Sequence, residues 1–350
     1  MECKLLVFHS LKTTIFCGLL LFAAPLFSQD YHVMKIWDVA PHNAFTDLIQ
    51  YEGKYYCTFR EGSGHNPTSE KAENGEIRIL VSTDGVEWKS HALLKKEGID
   101  LRDSKLSVTP DGRLMVLMGG SVYRNGTLIS RLPHVTFMNP QNEFVDLTPV
   151  NIDPEIQSYV DWLWRVTWDK KSGIGYGVVY QAFPGQEYPV YLVQTTDGVN
   201  YRNVTRLNVT GLPNEATVEL PGDGKMRIIM RREGDDRNGW LGYSDAPYHT
   251  WQWHDLGRRL GGPNLTTLPD GTTLIGSRGH RTKENRPAFT GLFGIDEDHK
   301  AVLFMEFPSD GDNGYPGFLV QGDELWVSYY SSHEGKTSIY LARIKIGIFP

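Results

Sequence analysis

A tight turn followed by a short apolar strand recurs six times along the 350 residues, and this repeat constrains the fold more than any other feature of the chain. The copies read Glu52-Gly53 before Lys54–Phe59, Asp111-Gly112 before Arg113–Met118, and Ser172-Gly173 before Ile174–Tyr180. They continue with Asp223-Gly224 before Lys225–Met230, Asp270-Gly271 before Thr272–Ile275, and Gly322-Asp323 before Glu324–Tyr330. Glycine suits such turns because it takes positive φ without a steric penalty. The turn glycines lie 47 to 61 residues apart, a period that matches one four-stranded propeller blade with its loops. Further strand signals (Ile77–Ser82, Val190–Gln194, Arg227–Arg231) are bounded by Gly, Asp, Asn and Pro, and no window keeps a helical period. The expected fold is all-β, a six-bladed β-propeller forming one domain over residues 29–350. The innermost strands of such a fold open onto a shared funnel, so residues distant in sequence can meet there. Glu215 and Tyr315 occupy matching points of the repeat.

Residues 1–28 have the pattern of an export signal. Lys4 and Lys12 precede an apolar run from Ile15 to Phe27, and Ser28 offers a small residue at the cleavage point. The run is too short for a comfortable membrane span, and no later segment could cross a bilayer. The expected location is therefore periplasmic or extracellular. Cleavage leaves Cys57 as the sole cysteine, so disulfides do not hold the fold, and a cysteine on a blade strand reads as buried filler. It also moves the formal charge from −7 to −8, since Glu2, Lys4 and Lys12 are lost. A net acidic chain lacks the footprint of a nucleic-acid binder. No Cys/His cluster has zinc spacing, and no phosphate loop or nucleophile-elbow serine is present, so neither metal nor cofactor is expected. The partner expected is a glycan met by a monomeric protein.

Two hairpin tips share a pattern: Ser82-Thr83-Asp84-Gly85-Val86-Glu87-Trp88 and Thr195-Thr196-Asp197-Gly198-Val199-Asn200-Tyr201. The Asp can accept backbone N–H bonds, the Gly takes φ > 0, and the aromatic ring packs back on the sheet. Ser244-Asp245 with Trp251 is a looser copy. These tips resemble the Asp-box (BNR) repeats of the sialidase superfamily, whose members are six-bladed propellers. Two longer stretches resemble catalytic segments of that family. One is Asn214-Glu215-Ala216-Thr217-Val218-Glu219-Leu220 with Asp223-Gly224 and Ile228-Ile229-Met230-Arg231; the other is Gly314-Tyr315-Pro316-Gly317-Phe318-Leu319 leading to Leu325–Tyr330.

The resemblance implies a Tyr nucleophile, Tyr315, activated by Glu215. The pairing makes chemical sense. A phenol of pKa near 10 is a poor nucleophile at neutral pH, and a neighbouring carboxylate can take its proton as an oxocarbenium-like centre develops. A neutral phenol also approaches an anionic sugar without the repulsion that a carboxylate nucleophile would meet. The family further uses three arginines to grip a carboxylate, because the planar guanidinium matches it bidentately. Arg231 or Arg232 stands for the second and Arg278 for the third. The first belongs to an Arg-Ile-Pro motif, but this chain reads His42-Asn43-Ala44-Phe45-Thr46-Asp47-Leu48 there, with no Arg. Arg60, Arg102 and Arg165 are the candidates to compensate.

The family's proton-donating Asp lies on a loop that here runs from Arg60 to Glu76 and contains His65, Glu70, Glu73 and Glu76 but no Asp. Asp47 and Asp103 are the alternatives, and His42 could act as acid or base. Trp164, with Trp162, would supply a stacking wall for a sugar ring. The leading expectation is an exo-acting glycoside hydrolase releasing a terminal acidic sugar. A polysaccharide lyase acting on uronates, with His42 or Tyr315 as base, and a non-catalytic glycan-binding propeller are the competing ones.

Overall fold

In a computed structural model the described residues are 31–67, 74–281 and 288–349. The export signal expected at residues 1–28 lies outside them. The chain is all-β, and among the described residues the one helical element is the 3₁₀ turn Ile346–Ile348. No helix among them is long and apolar enough to cross a membrane.

The strands form largely antiparallel sheets in which most consecutive strands pair in sequence order, the short parallel pair of Asn151–Ile152 with Asn200–Arg206 being an exception, and all six repeated turns fall at the same place. Each joins the first strand of a four-strand unit to its second. Glu52-Gly53 joins His42–Tyr51 to Lys54–Gly62, and Asp223-Gly224 joins Pro213–Glu219 to Lys225–Arg232. The repeated glycines 53, 112, 173, 224, 271 and 322 all have positive φ. One long strand, Gln252–Thr267, ends one unit with its first half and opens the next with its second, which fuses two units into a seven-stranded sheet. At the chain's ends, Tyr31–Trp37 pairs with Ser338–Lys345 and completes the last sheet.

The first strands pack against one another in a closed circuit. His42–Tyr51 touches Asp100–Val108 and Asn313–Gln321; Asp161–Trp168 touches Asp100–Val108 and Pro213–Glu219; Gln252–Thr267 touches Pro213–Glu219 and Asn313–Gln321. Hydrogen bonds cross the seams, including Leu106 N–H to Asp47 Oδ2 at 2.8 Å, Thr46 Oγ1 to the Tyr315 carbonyl at 2.9 Å and Asn264 Nδ2 to the Pro316 carbonyl at 3.0 Å. Apolar clusters fill the spaces between sheets. Cys57 is fully buried in the largest of them, and burial pushes its thiol pKa up, so it is inert filler.

The two hairpin tips fold alike. Ser82 Oγ accepts from the Gly85 N–H at 2.9 Å, and Asp84 Oδ1 accepts from the N–H groups of Val86 and Glu87. Thr195 and Asp197 repeat the pattern on Gly198, Val199 and Asn200. Gly85 is required twice over: its φ is +72°, and a Cβ there would sit 2.1 Å from the Trp326 ring of the neighbouring sheet.

Every first strand also carries a β-bulge at the same level. Two residues oppose one at Phe45-Thr46, Asp103-Ser104, Trp164-Arg165, Asn214-Glu215, Gly262-Pro263 and Tyr315-Pro316. A bulge re-aims side chains and sharpens strand twist. Phe45, Asp103 and Tyr315 hold φ of 66°, 54° and 53°, a region that side-chain-bearing residues occupy at a cost. The ring of bulges is where the site forms.

Candidate active site

Glu215 and Tyr315 stand on two bulges and meet across the circuit. The Tyr315 hydroxyl donates to Glu215 Oε1 at 2.6 Å. Arg231, directly opposite the Glu215 bulge, donates from Nη1 to Glu215 Oε2 at 2.7 Å and to the Tyr315 hydroxyl at 3.1 Å. The Gly262 N–H adds a third bond to the Glu215 carboxylate, to Oε2 at 2.7 Å. Behind Arg231, Glu233 accepts from its Nε at 2.7 Å and also from Nη2. Burial alone would raise the Glu215 pKa, but Arg231, Tyr315 and the Gly262 amide outweigh it and hold the carboxyl below its usual range. Burial and the Glu215 charge push the Tyr315 phenol well above its ordinary value. The resting pair is therefore a neutral phenol on an ionised carboxylate, with a cation touching both oxygens.

These groups line a cavity of about 280 Å³. Its charged lining is four arginines, Arg102, Arg131, Arg231 and Arg278, against two carboxylates, Asp103 and Glu215. Arg278 is fixed by Asn313 O at 2.5 Å, Asp312 Oδ1 at 3.0 Å and the Tyr330 hydroxyl at 2.8 Å. Arg102 holds the Asn66 side chain at 2.5 Å and the His65 carbonyl at 3.1 Å. Three buried polar atoms of lining residues have no protein partner: Asp103 Oδ1, Arg131 Nε and Trp162 Nε1. Burial raises the Asp103 pKa despite Arg102 and Lys105 nearby. A cationic lining with unpaired donors and a carboxyl suits a polar anionic ligand.

The other expected residues lie elsewhere. Asp47 and Arg165 form a sealed pair, with Arg165 Nη1 donating to both carboxylate oxygens at 3.0 and 2.9 Å. Arg60 is fully buried and bound to Asp100 at 2.6 Å and to the Gly64 carbonyl. Arg232 turns away from the cavity to Thr210 O, Asp236 and the Trp240 face. Trp164 lies beneath Tyr315, ring centroids 5.6 Å apart, while Trp162 reaches the cavity with Arg131 over its ring. His42 is buried and contacts Asp312 Oδ2 at 2.9 Å, and burial lowers its pKa. Between the two candidate wall tryptophans, the one that faces the space is thus Trp162.

Sequence reading did not single out Arg131, Tyr123, Tyr180 or Asp312. Arg131 follows a hairpin with no repeat signal, whereas Asp312 stands three residues before Tyr315 and could have been marked by that spacing. The sequence carries no zinc-type spacing, yet the fold brings ligand atoms of His42, His65 and Asp312 within 4.8 Å of one another. The other oxygen of Asp312 is bound by the Arg278 guanidinium, which favours reading the cluster as a hydrogen-bonded network.

No protein-family model matches the chain, and no curated protein matches it. Solved structures do. A protein of unknown function from Dyadobacter fermentans is similar at 17% identity and TM-score 0.73, covering 90% of this chain and 99% of that one. Trypanosoma rangeli sialidase in complex with the inhibitor DANA is similar at 14% identity and TM-score 0.66, covering 87% of this chain and 55% of that one. A Hadza microbial sialidase is similar at 12% identity and TM-score 0.65, covering 89% and 67%. The fold is a sialidase-like propeller. At these identities the likeness concerns fold alone.

Proposed function

We propose that the chain is an exported six-bladed propeller, with Asp-box hairpin tips, that hydrolyses glycosides from the end of a glycan and releases a terminal acidic sugar. The observation that carries this reading is the Tyr315–Glu215–Arg231 contact set inside a cavity rich in arginine. Tyr315 Oη attacks the anomeric carbon and its proton passes to Glu215 along the 2.6 Å bond. As the phenolic oxygen loses that proton, Arg231 is already placed against it and exchanges part of its pairing from carboxylate to phenolic oxygen. The resulting glycosyl–tyrosine is cleaved by water in a second step, so the sugar keeps its anomeric configuration. Arg278 and Arg102 grip the carboxylate of the sugar, with Arg131 making up for the missing Arg near Leu48. Asp103, with its raised pKa and unpaired Oδ1, exchanges a hydrogen bond with a sugar hydroxyl. Trp162 provides the apolar wall.

The reading is tested by mass-spectrometric product analysis on a panel of sialylated and uronate-bearing glycans, comparing the wild type with Tyr315→Phe and Glu215→Ala. Release of a hydrated acidic monosaccharide by the wild type and its loss in both variants is expected. An unsaturated product absorbing in the ultraviolet would establish a lyase instead. Glycan affinity that survives Tyr315→Phe, with turnover by neither protein, would establish a non-catalytic binding propeller.

A further inference from the structure

The cavity that Tyr315 lines also holds an imidazole on a carboxylate. His65 lines the cavity, its side chain is 45% exposed, and its Nδ1 contacts Asp312 Oδ2 at 2.6 Å. With Nδ1 engaged, Nε2 on the other side of the ring is the nitrogen left to exchange a proton with whatever fills the cavity. Asp312 is itself immobilised. Its Oδ1 accepts from Arg278 at 3.0 Å and from the Tyr330 hydroxyl at 2.9 Å, and its Oδ2 also meets His42 Nε2 at 2.9 Å. Burial alone would raise the Asp312 pKa, but the bonds from His42 and His65 and the nearby cationic groups hold it far below the usual carboxylate range. It stays ionised and aims His65 by accepting from Nδ1–H.

Phe45, on the bulge of its strand, packs against both His65 and Tyr315. The Phe45 ring lies edge-on to His65, centroids 5.1 Å apart, and to Tyr315, centroids 5.0 Å apart, with the Arg102 guanidinium 4.9 Å away over it. Arg102 in turn ties down the His65 carbonyl and the Asn66 side chain. The imidazole and the phenol, both lining the cavity, thus pack on one buried ring, as partners acting on one bond would.

We propose that His65 is the proton donor to the departing group and Asp312 the residue that positions it, a step that rests on the hydrolase reading above. In the first half-reaction Tyr315 Oη forms a bond to the anomeric carbon and the glycosidic C–O bond breaks. The leaving oxygen keeps the electron pair and takes the proton of His65 Nε2–H, while Glu215 takes the proton of Tyr315. In the second, water attacks the anomeric carbon, His65 Nε2 accepts the water's proton, the C–Oη bond breaks, and Glu215 returns the proton to Tyr315. The balance is hydrolysis alone.

Leaving-group dependence separates this role from a structural one, because a good leaving group departs without a proton. The probes are the 4-methylumbelliferyl glycosides and the lactose-linked glycosides of N-acetylneuraminic acid and glucuronic acid. His65→Ala is expected to lose about 10²- to 10⁴-fold in kcat/KM on the lactose-linked probe. On the umbelliferyl probe kcat/KM, which reports the first half-reaction, loses less than about tenfold, while kcat and KM fall together because the second half-reaction has lost its base. Asp312→Asn is expected to show the same pattern more weakly, and His65→Asn, which keeps size and polarity, to resemble His65→Ala. Equal losses on both leaving groups, or no loss, overturn the proposal while leaving Tyr315 intact as nucleophile. Loss of wild-type activity in EDTA that zinc restores also overturns it, making His42, His65 and Asp312 metal ligands. If the wild type turns over neither class of probe, the hydrolase reading falls and this proposal with it.

Discussion

Glu215 with Arg231 and Asp47 with Arg165 are both buried carboxylate–arginine pairs whose carboxylates stand on bulged first strands, yet they differ in what the pair leaves exposed. Arg165 places Nη1 on both oxygens of Asp47, and the Leu106 amide adds a bond to the second, so the carboxylate is closed off. Lys105 lies alongside, donating to Thr46 O at 3.3 Å, and burial with the Arg165 charge lowers its pKa to about 8. Glu215 instead shares one oxygen between Arg231 and Gly262 and gives the other to a phenol in the cavity wall. A closed pair secures geometry between first strands, here His42–Tyr51 and Asp161–Trp168 on either side of Asp100–Val108. A pair with a reactive hydroxyl attached, facing a solvent-filled space, has chemistry available to it. Residue type and burial do not separate the two, whereas the third partner does.

The contrast can be broken most sharply by Tyr315→Phe, which is expected to lower turnover by at least about 10³-fold while the thermal midpoint stays close to that of the wild type. A large loss of stability with retained turnover would reverse the assignments. Asp47→Ala is expected to act the other way, costing about 3–5 kcal/mol in denaturant unfolding because Arg165 is left buried and unpaired. Replacing the pair by Asp47→Leu with Arg165→Met should recover much of that loss. Gly262→Ala sits between the regions. Its Cβ would lie 2.4 Å from Tyr315 Cγ at a φ of +57°, so a cost of about 1–3 kcal/mol should accompany displacement of the Tyr315 ring and a fall in activity. The smallest effect concerns pH. Because the folded Asp312 pKa is depressed, its contribution to stability is present above the ordinary carboxylate range and is lost as pH falls below about 4. Asp312→Asn should flatten that acid limb in chemical denaturation measured across pH, and an unchanged limb would place the dependence on other carboxylates.

Much of the scaffold was legible in the sequence because turn chemistry is local. Each repeated glycine sits where positive φ is required, and the two Ser/Thr-x-Asp-Gly tips form their own hydrogen bonds. The sequence pattern puts Glu215 and Tyr315 at matching points of the repeat, whereas Tyr315 is the first residue of its bulge and Glu215 the second of its own, one position apart. The bulges were not legible, since a bulge comes from register across two strands and has no residue signature at Phe45 or Asp103. Without them the side chains of Arg60, Arg165 and Arg232 could not be sorted from those of Arg102 and Arg278 by strand alternation. Arg131 came from a hairpin outside the repeat, and the Asp312 network joins the first and last sheets, 247 residues apart at its His65 contact. Such long-range pairings are fixed by closure of the ring and leave no local pattern.

The most direct test of the central claim is covalent trapping with a 2,3-difluorinated acidic sugar, whose electron-withdrawing fluorine slows release of the glycosyl–enzyme. Intact mass followed by peptide mapping is predicted to show one sugar attached at Tyr315 in the wild type and none in Tyr315→Phe. An adduct on another residue, or turnover that inverts the anomeric centre without any adduct, would contradict the account.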